Sequence, residues 1–163
     1  MQKSKNITSL LIFFIFTYIF CTHILGVNLE DHKYGLNVYK KGNCMGCHSW
    51  HGKGGGGYGA GVSLRDINLT LDEIINVIKC GRPGTGMPFF LRKAYKEEKC
   101  YDTTLEDYDD SYRPVSSKRF LSSKQIEAVS IFVKEVLDGK KLDDNYCEFF
   151  YEKGSKVCVN LKN

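Results

Sequence analysis

The sequence predicts a single domain whose regular structure is helical. Three capped runs with apolar residues at helical spacing carry that expectation: 29–41 behind Asn28, 71–80 behind Thr70, and 123–137 behind Ser122. No run is assigned to a strand. At 163 residues the chain makes one domain, in two parts: an N-terminal segment, 1–26, and the folding part, 27–163. The formal net charge of +4 includes Lys3 and Lys5 of that first segment, so the remainder is nearly balanced. Global charge therefore argues for neither nucleic acid nor an anionic membrane surface as partner.

Met1 to Gly26 has the layout of an export signal, with Lys3 and Lys5 ahead of an apolar run from Leu10 to Phe20. The alternatives are cleavage near Gly26, or retention as an anchor, because 7–26 carries no charge and is long enough to span a bilayer. Either places 27–163 outside the cytoplasm. In the first helix, Glu30 and Asp31 suit the N-terminal turn and Gly42 follows the end. Gly35 and Tyr39 share one face, where a glycine either lets another helix approach closely or merely weakens the helix.

Cys44-Met45-Gly46-Cys47-His48 follows. Two thiols at this spacing can each add across a vinyl group of one haem, and the next histidine then lies beneath the iron. A bare Cys-x-x-Cys is also a zinc half-site or a redox dithiol, but the further ligands of the first and the βαβ context of the second are not visible. In the glycine-rich 52–61, residues 54–59 fit a dinucleotide fingerprint formally, yet no strand precedes them and no phosphate-facing helix follows. Glycines there let backbone pass close to a macrocycle edge. Trp50 and Tyr58 can donate to a haem propionate or be core aromatics with their polar ends in water, and Arg82 is a further propionate candidate. His51 is expected to face solvent.

Thr70-x-x-Glu73 has capping-box form, and Leu71, Ile74, Val77 and Ile78 continue at helical spacing until Gly81. The loop 81–88, rich in Gly and Pro, presents Met87. Met1 belongs to the export segment and Met45 is confined between the two cysteines, so only Met87 can reach the far face of an iron held by His48. The stretch 89–120 reads as a long segment of mixed charge with an acidic middle from Glu97 to Asp110, expected to be a solvated insert at about 92–118. Ser122-x-x-Gln125 opens the last long helix, with Ile126, Val129, Phe132, Val133 and Val136 on one stripe. It is expected to cross the first helix at Gly35 and Tyr39. The tail 139–163, with Phe149 and Phe150, should fold back on the body. With Cys44 and Cys47 on haem and Cys21 in the export segment, four cysteines remain, and of three connectivities Cys80–Cys100 with Cys147–Cys158 closes the shortest loops.

These parts together resemble a class I c-type cytochrome: Gly35 and Tyr39 in the first helix, the motif Cys44 to His48, the loop ending Gly86-Met87-Pro88, and Phe132 in the last helix. The match covers about 28–91 and 119–138. It implies a small all-α, class I cytochrome c-like fold around one covalent haem c; the inserted segment before the last long helix and the disulfide-tied C-terminal tail are this chain's additions to that minimal fold. It also implies His48 and Met87 as axial ligands, in a protein that passes single electrons between redox partner proteins. One departure is that where the family often has Gly-Pro-x-Leu, with the proline carbonyl accepting the axial histidine's hydrogen bond, this chain has Gly61-Val62-Ser63-Leu64, in which a valine carbonyl could serve. The functional expectation is a periplasmic electron carrier, with a quinoprotein alcohol dehydrogenase as one candidate donor and a terminal oxidase chain as acceptor. The alternatives are a haem subunit of a larger oxidoreductase, or a haem enzyme or gas binder whose Met87 is off the iron. No acid, base or nucleophile constellation is readable, which argues against catalysis of the usual kind. The surface through which electrons pass is expected to combine Lys53, Arg82, Arg92 and Lys93 with apolar Phe89 and Phe90.

Overall fold

The computed structural model describes residues 32–58 and 61–159. The export segment, the Asn28 cap and the start of the first helix lie outside them. The described elements are α1 (Lys33–Lys41), the single turn α2 (Met45–His48), α3 (Leu71–Cys80), β1 (Phe89–Leu91), a 3-10 turn (Leu105–Asp107), β2 (Ser116–Leu121), α4 (Ser123–Phe132) running on as a π-helical turn (Val133–Leu137), α5 (Asp144–Glu148) and α6 (Lys156–Val159).

The all-α expectation is corrected: β1 and β2 pair as a two-stranded parallel sheet, Phe89 opposite Ser116 and Leu91 opposite Leu121, with an irregularity between. The domain is thus helices plus a small parallel sheet. Phe89, Phe90 and Leu91 are all buried, and three residues are too few for a period of two to show in the sequence. The insert between the strands is corrected as well. Its acidic side chains are largely exposed, but Ala94, Tyr95 and Cys100 are buried, so it is packed on the body and not merely solvated.

Helices α1 and α4 cross where expected. A Cβ on Gly35 would stand 2.3 Å from the Ala128 carbonyl oxygen and 2.7 Å from Phe132 Cβ, and only glycine admits that approach. Tyr39 and Phe132, both fully buried, meet at the same place with ring centroids 5.5 Å apart. The α3 cap is reciprocal, Thr70 Oγ1 accepting from Glu73 N while Thr70 N donates to Glu73 Oε2, and Ser122 with Gln125 repeats the arrangement at α4. Between them these helices bury Ile74, Ile78, Ile126, Val129 and Val133. Disulfides join Cys80 to Cys100 and Cys147 to Cys158, marking an oxidising, exported environment. No helix among the described residues is long and apolar enough to cross a membrane.

Candidate functional site

The site begins where α1 ends. Asn43 takes φ of 63°, turning the chain, and Cys44 N donates to Tyr39 O while His48 N donates to Cys44 O at 2.8 Å, closing the single turn of α2. Cys44 and Cys47 are three residues apart and so lie on one side of that turn. They are the only cysteines outside disulfides among the described residues. Ser49, at φ of 62°, ends the turn, and the buried Tyr39 hydroxyl donates to its carbonyl at 2.8 Å.

A helix of one turn leaves its last carbonyls without partners. The glycine-rich loop supplies them: Tyr58 N donates to Gly46 O, Gly56 N to Cys47 O and Gly54 N to His48 O, at 3.0, 2.8 and 3.1 Å. A Cβ on Gly56 would stand 2.4 Å from Gly46 O, and one on Gly61 2.3 Å from Cys47 O. These two glycines therefore serve close approach to the motif's own backbone.

His48 is 8% exposed, and its Nδ1 lies 2.8 Å from Val62 O. A carbonyl only accepts, so the ring proton sits on Nδ1 and the Nε2 lone pair is left for a ligand. Burial holds the His48 pKa below its ordinary value, the Val62 bond acts the other way, and the Arg82 guanidinium adds to the lowering. The imidazole is neutral at neutral pH, the form that binds metal. Burial pushes the Cys44 thiol up to about 12. A redox dithiol needs an attacking thiolate near neutral pH, so this thiol is poorly suited to that chemistry. Nor is there a zinc cage: no group of three or more His, Cys, Asp or Glu side chains among the described residues converges on a metal position.

Met87 is half-buried against the core, in a loop without helix or strand, as expected. Thr85 organises that loop, its amide and hydroxyl both donating to Arg82 O and its Oγ1 accepting from Met87 N, while Arg82 N donates to Met87 O. The Arg82 contribution at His48 places this loop within electrostatic reach of the imidazole.

The remaining candidates divide. Tyr58 is 80% exposed, with its ring over Gly46 of the motif, and Arg82 is exposed. Trp50 is half-buried and packs against the core, 6.2 Å from Tyr146, 5.6 Å from Phe150 and 5.1 Å from Tyr151 between ring centroids. His51 is half-buried, its Nδ1 accepting from Lys53 N. Phe89 and Phe90 are buried and do not border the surface, because they form β1; the exposed large hydrophobics flanking the motif and its histidine bond are Tyr58 and Val62. Lys53, Arg82, Arg92 and Lys93 are exposed, Arg92 lying over the Phe120 ring and Lys93 pairing with Glu97.

Arg65 escaped the sequence reading, since nothing marks one arginine of a loop as buried. It is 5% exposed, with Nε donating to His51 O at 2.6 Å, Nη1 donating to Lys140 O at 2.8 Å, and the guanidinium 4.9 Å from the Tyr146 ring centroid. Burial lowers its pKa, with Tyr146 and Tyr39 acting the other way. Nη2 is buried with no hydrogen-bond partner, and such a group calls for an acceptor, a role that a carboxylate can fill. Together these residues offer two thiols for a pair of vinyl groups, an oriented imidazole, a thioether in a nearby loop, and an orphaned cationic N–H of the kind a carboxylate satisfies. The set fits a covalent haem. A cleft of about 650 Å³ lined by Lys53, Ser63, Arg65, Asp66 and residues 139–142 contains none of Cys44, Cys47, His48 or Met87 and shares only Arg65 and Lys53 with the candidate set and its surroundings.

Comparison of the chain with family models, curated proteins and solved structures finds no match. The functional reading therefore rests on the residues and their geometry.

Proposed function

We propose that this chain is an exported single-electron carrier, working in a periplasm, with one haem c attached through Cys44 and Cys47 and with His48 and Met87 as its axial ligands. The observation that carries the reading is the His48 Nδ1–Val62 O bond of 2.8 Å within a Cys-x-x-Cys-His turn. That bond fixes the tautomer and the ring direction of a metal-ligating histidine. When bound, the haem supplies a reversible one-electron step. The chain's own residues attach and orient it: the glycine loop rigidifies the turn that carries the thiols, Tyr39 ties that turn to the α1–α4 crossing, and Arg65 stands ready for a carboxylate. Tyr58, Val62, Lys53 and Arg82 form the exposed surroundings through which partner proteins exchange electrons.

The test is production of the full chain in a host that exports and attaches haem c, followed by a pyridine haemochrome spectrum and mass analysis of the peptide spanning 44–48. One haem per chain with both thioethers is the expected result. Cys44→Ala and Cys47→Ala should each leave a single thioether, and His48→Ala should remove most mature protein. An exported, folded chain with free thiols at 44 and 47 and no haem overturns the proposal.

A further inference from the structure

We infer that the segment 92–115 is a brace for the Met87 loop, with Tyr101 and Tyr112 as positioning residues that keep the Met87 thioether in place as sixth ligand; the ligand role rests on the function proposed above. The segment does more than link β1 to β2, because it grips the loop 81–88 at its start, its middle and its end. At the start, Cys100 is disulfide-bonded to Cys80, Tyr95 donates its hydroxyl to Cys80 O at 2.8 Å, and Tyr101 donates its hydroxyl to Gly81 O at 2.7 Å. In the middle, Gly84 N donates to Tyr112 O at 2.9 Å, and the Tyr112 ring packs so closely that a Cβ on Gly84 would stand 2.8 Å from Cδ1 and Cε1. At the end, Phe89 N donates to Val115 O at 2.9 Å where the sheet begins.

The brace is itself held. Arg113 donates from Nε to Leu105 O and from Nη2 to Tyr108 O, the Tyr108 hydroxyl bonds Thr103 Oγ1, and Asp109 accepts from Tyr112 N. A loop fixed at three points by a stiff neighbour loses little conformational freedom when its methionine binds, so the ligand competes well against water or an added base. Tyr101 and Tyr112 remain 42% and 61% exposed, so trimming either removes a hold on the loop and not a piece of the core.

The experiment uses the holoprotein. Imidazole is mixed with the ferric form, and its association is followed through loss of the methionine–iron absorption at the red edge of the spectrum. The variants are Tyr101→Phe, Tyr112→Ala, the double variant, Tyr112→Phe as the ring-preserving rescue, and Lys96→Gln as an exposed control in the same segment. Loss of one net hydrogen bond corresponds to about two- to tenfold in an equilibrium. The double variant should therefore take up imidazole at least about threefold faster, with Tyr112→Phe and Lys96→Gln matching the parent. Backbone hydrogen exchange across 82–87 should accelerate in the same double variant. An unchanged imidazole rate in a haem-bearing double variant overturns the brace. If the parent chain carries no haem, the electron-carrier reading fails by itself, and exchange decides the brace alone: acceleration sustains it as a loop-holding device, and unchanged exchange overturns it.

Discussion

Gly35→Ala tests whether the α1–α4 crossing holds the site in position. A Cβ at this position meets a backbone oxygen at 2.3 Å and a backbone-proximal Cβ at 2.7 Å. Neither can rotate away, so the helices must part by most of an ångström. Parting them loosens Tyr39 against Phe132, both of which have no exposed surface. Overpacking of this kind costs about 3 kcal/mol at the upper end of its range. Alanine returns about 1 kcal/mol of helix propensity. The net loss is about 2 kcal/mol, a fall in Tm of roughly 6 °C for a domain of this size. Urea and thermal unfolding measure it, with Gly57→Ala as the control, because a Cβ there meets nothing within 4 Å. Tyr39 also holds Ser49 O beside His48, so the Gly35→Ala haem spectrum should shift while that of Gly57→Ala does not. A Gly35→Ala protein as stable as its parent, or more so, refutes the crossing as the source of constraint.

Met87→Ala should keep its haem through Cys44 and Cys47 but lose the red-edge absorption and bind carbon monoxide when ferrous; a parent that binds carbon monoxide equally well removes Met87 from the iron. Paired Cys147→Ser and Cys158→Ser substitutions should cost about 3 kcal/mol in the chain-entropy model and change Trp50 fluorescence, since the disulfide holds the tail that carries Tyr146, Phe150 and Tyr151; unaltered fluorescence would detach that cluster from the tail bond. Acid should loosen the turn at 104–112 before the core. Asp107 is held below its ordinary 3.8 by the Thr104 amide and hydroxyl, and Asp109 likewise by the Ser111 hydroxyl and Tyr112 amide. A folded pKa below the unfolded one means the unfolded chain takes up protons first, so this stabilisation is complete above about pH 4 and is lost as pH falls through the lower folded values. Hydrogen exchange at pH 5 and pH 3 measures it, and equal protection of 104–112 at both contradicts it. Electron transfer to an acidic partner should slow with salt and slow further in Lys53→Glu at low salt; stopped-flow rates that rise with salt would instead place docking on the acid side chains from Glu97 to Asp110.

What was legible in the sequence was local. The bounds of α3 follow from Thr70, Glu73 and Gly81, all within two residues of a helix end, and both disulfides close loops within one stretch of chain. The Val62 carbonyl was suggested by the resemblance alone, because Gly61-Val62-Ser63-Leu64 stands where the resembled family often has Gly-Pro-x-Leu. The crossing could be expected because Gly35 and Tyr39 share one face, where a glycine can admit another helix closely. The rest depends on partners that sequence distance conceals. Phe89-Phe90-Leu91 becomes a strand only when Ser116–Leu121 returns beside it in parallel, and nothing inside three residues announces that. Trp50 finds its ring partners in Tyr146, Phe150 and Tyr151, which lie in the tail. Arg65 becomes a buried cation only once His51, Lys140 and Tyr146 have closed around it.

The two axial candidates are consequently held by different kinds of constraint. His48 is fixed by bonds among residues 46–62, a compact unit in which each hydrogen bond closes a short loop at small entropic cost. Met87 bonds locally to Arg82 and Thr85, but the loop that carries it is held at Cys80, Gly81, Gly84 and Phe89 by residues 95–115, which must first fold against the body before they can grip anything. Local bonds reform quickly after a fluctuation, whereas a grip across two chain segments opens whenever the second segment lifts. Destabilising conditions should therefore release Met87 before His48, giving a five-coordinate or base-substituted iron with the thioethers and the histidine intact. Mild urea, followed at the red-edge absorption and at the main haem band, separates the two events. A single transition in which both ligands leave together would show that the brace and the motif turn unfold as one unit.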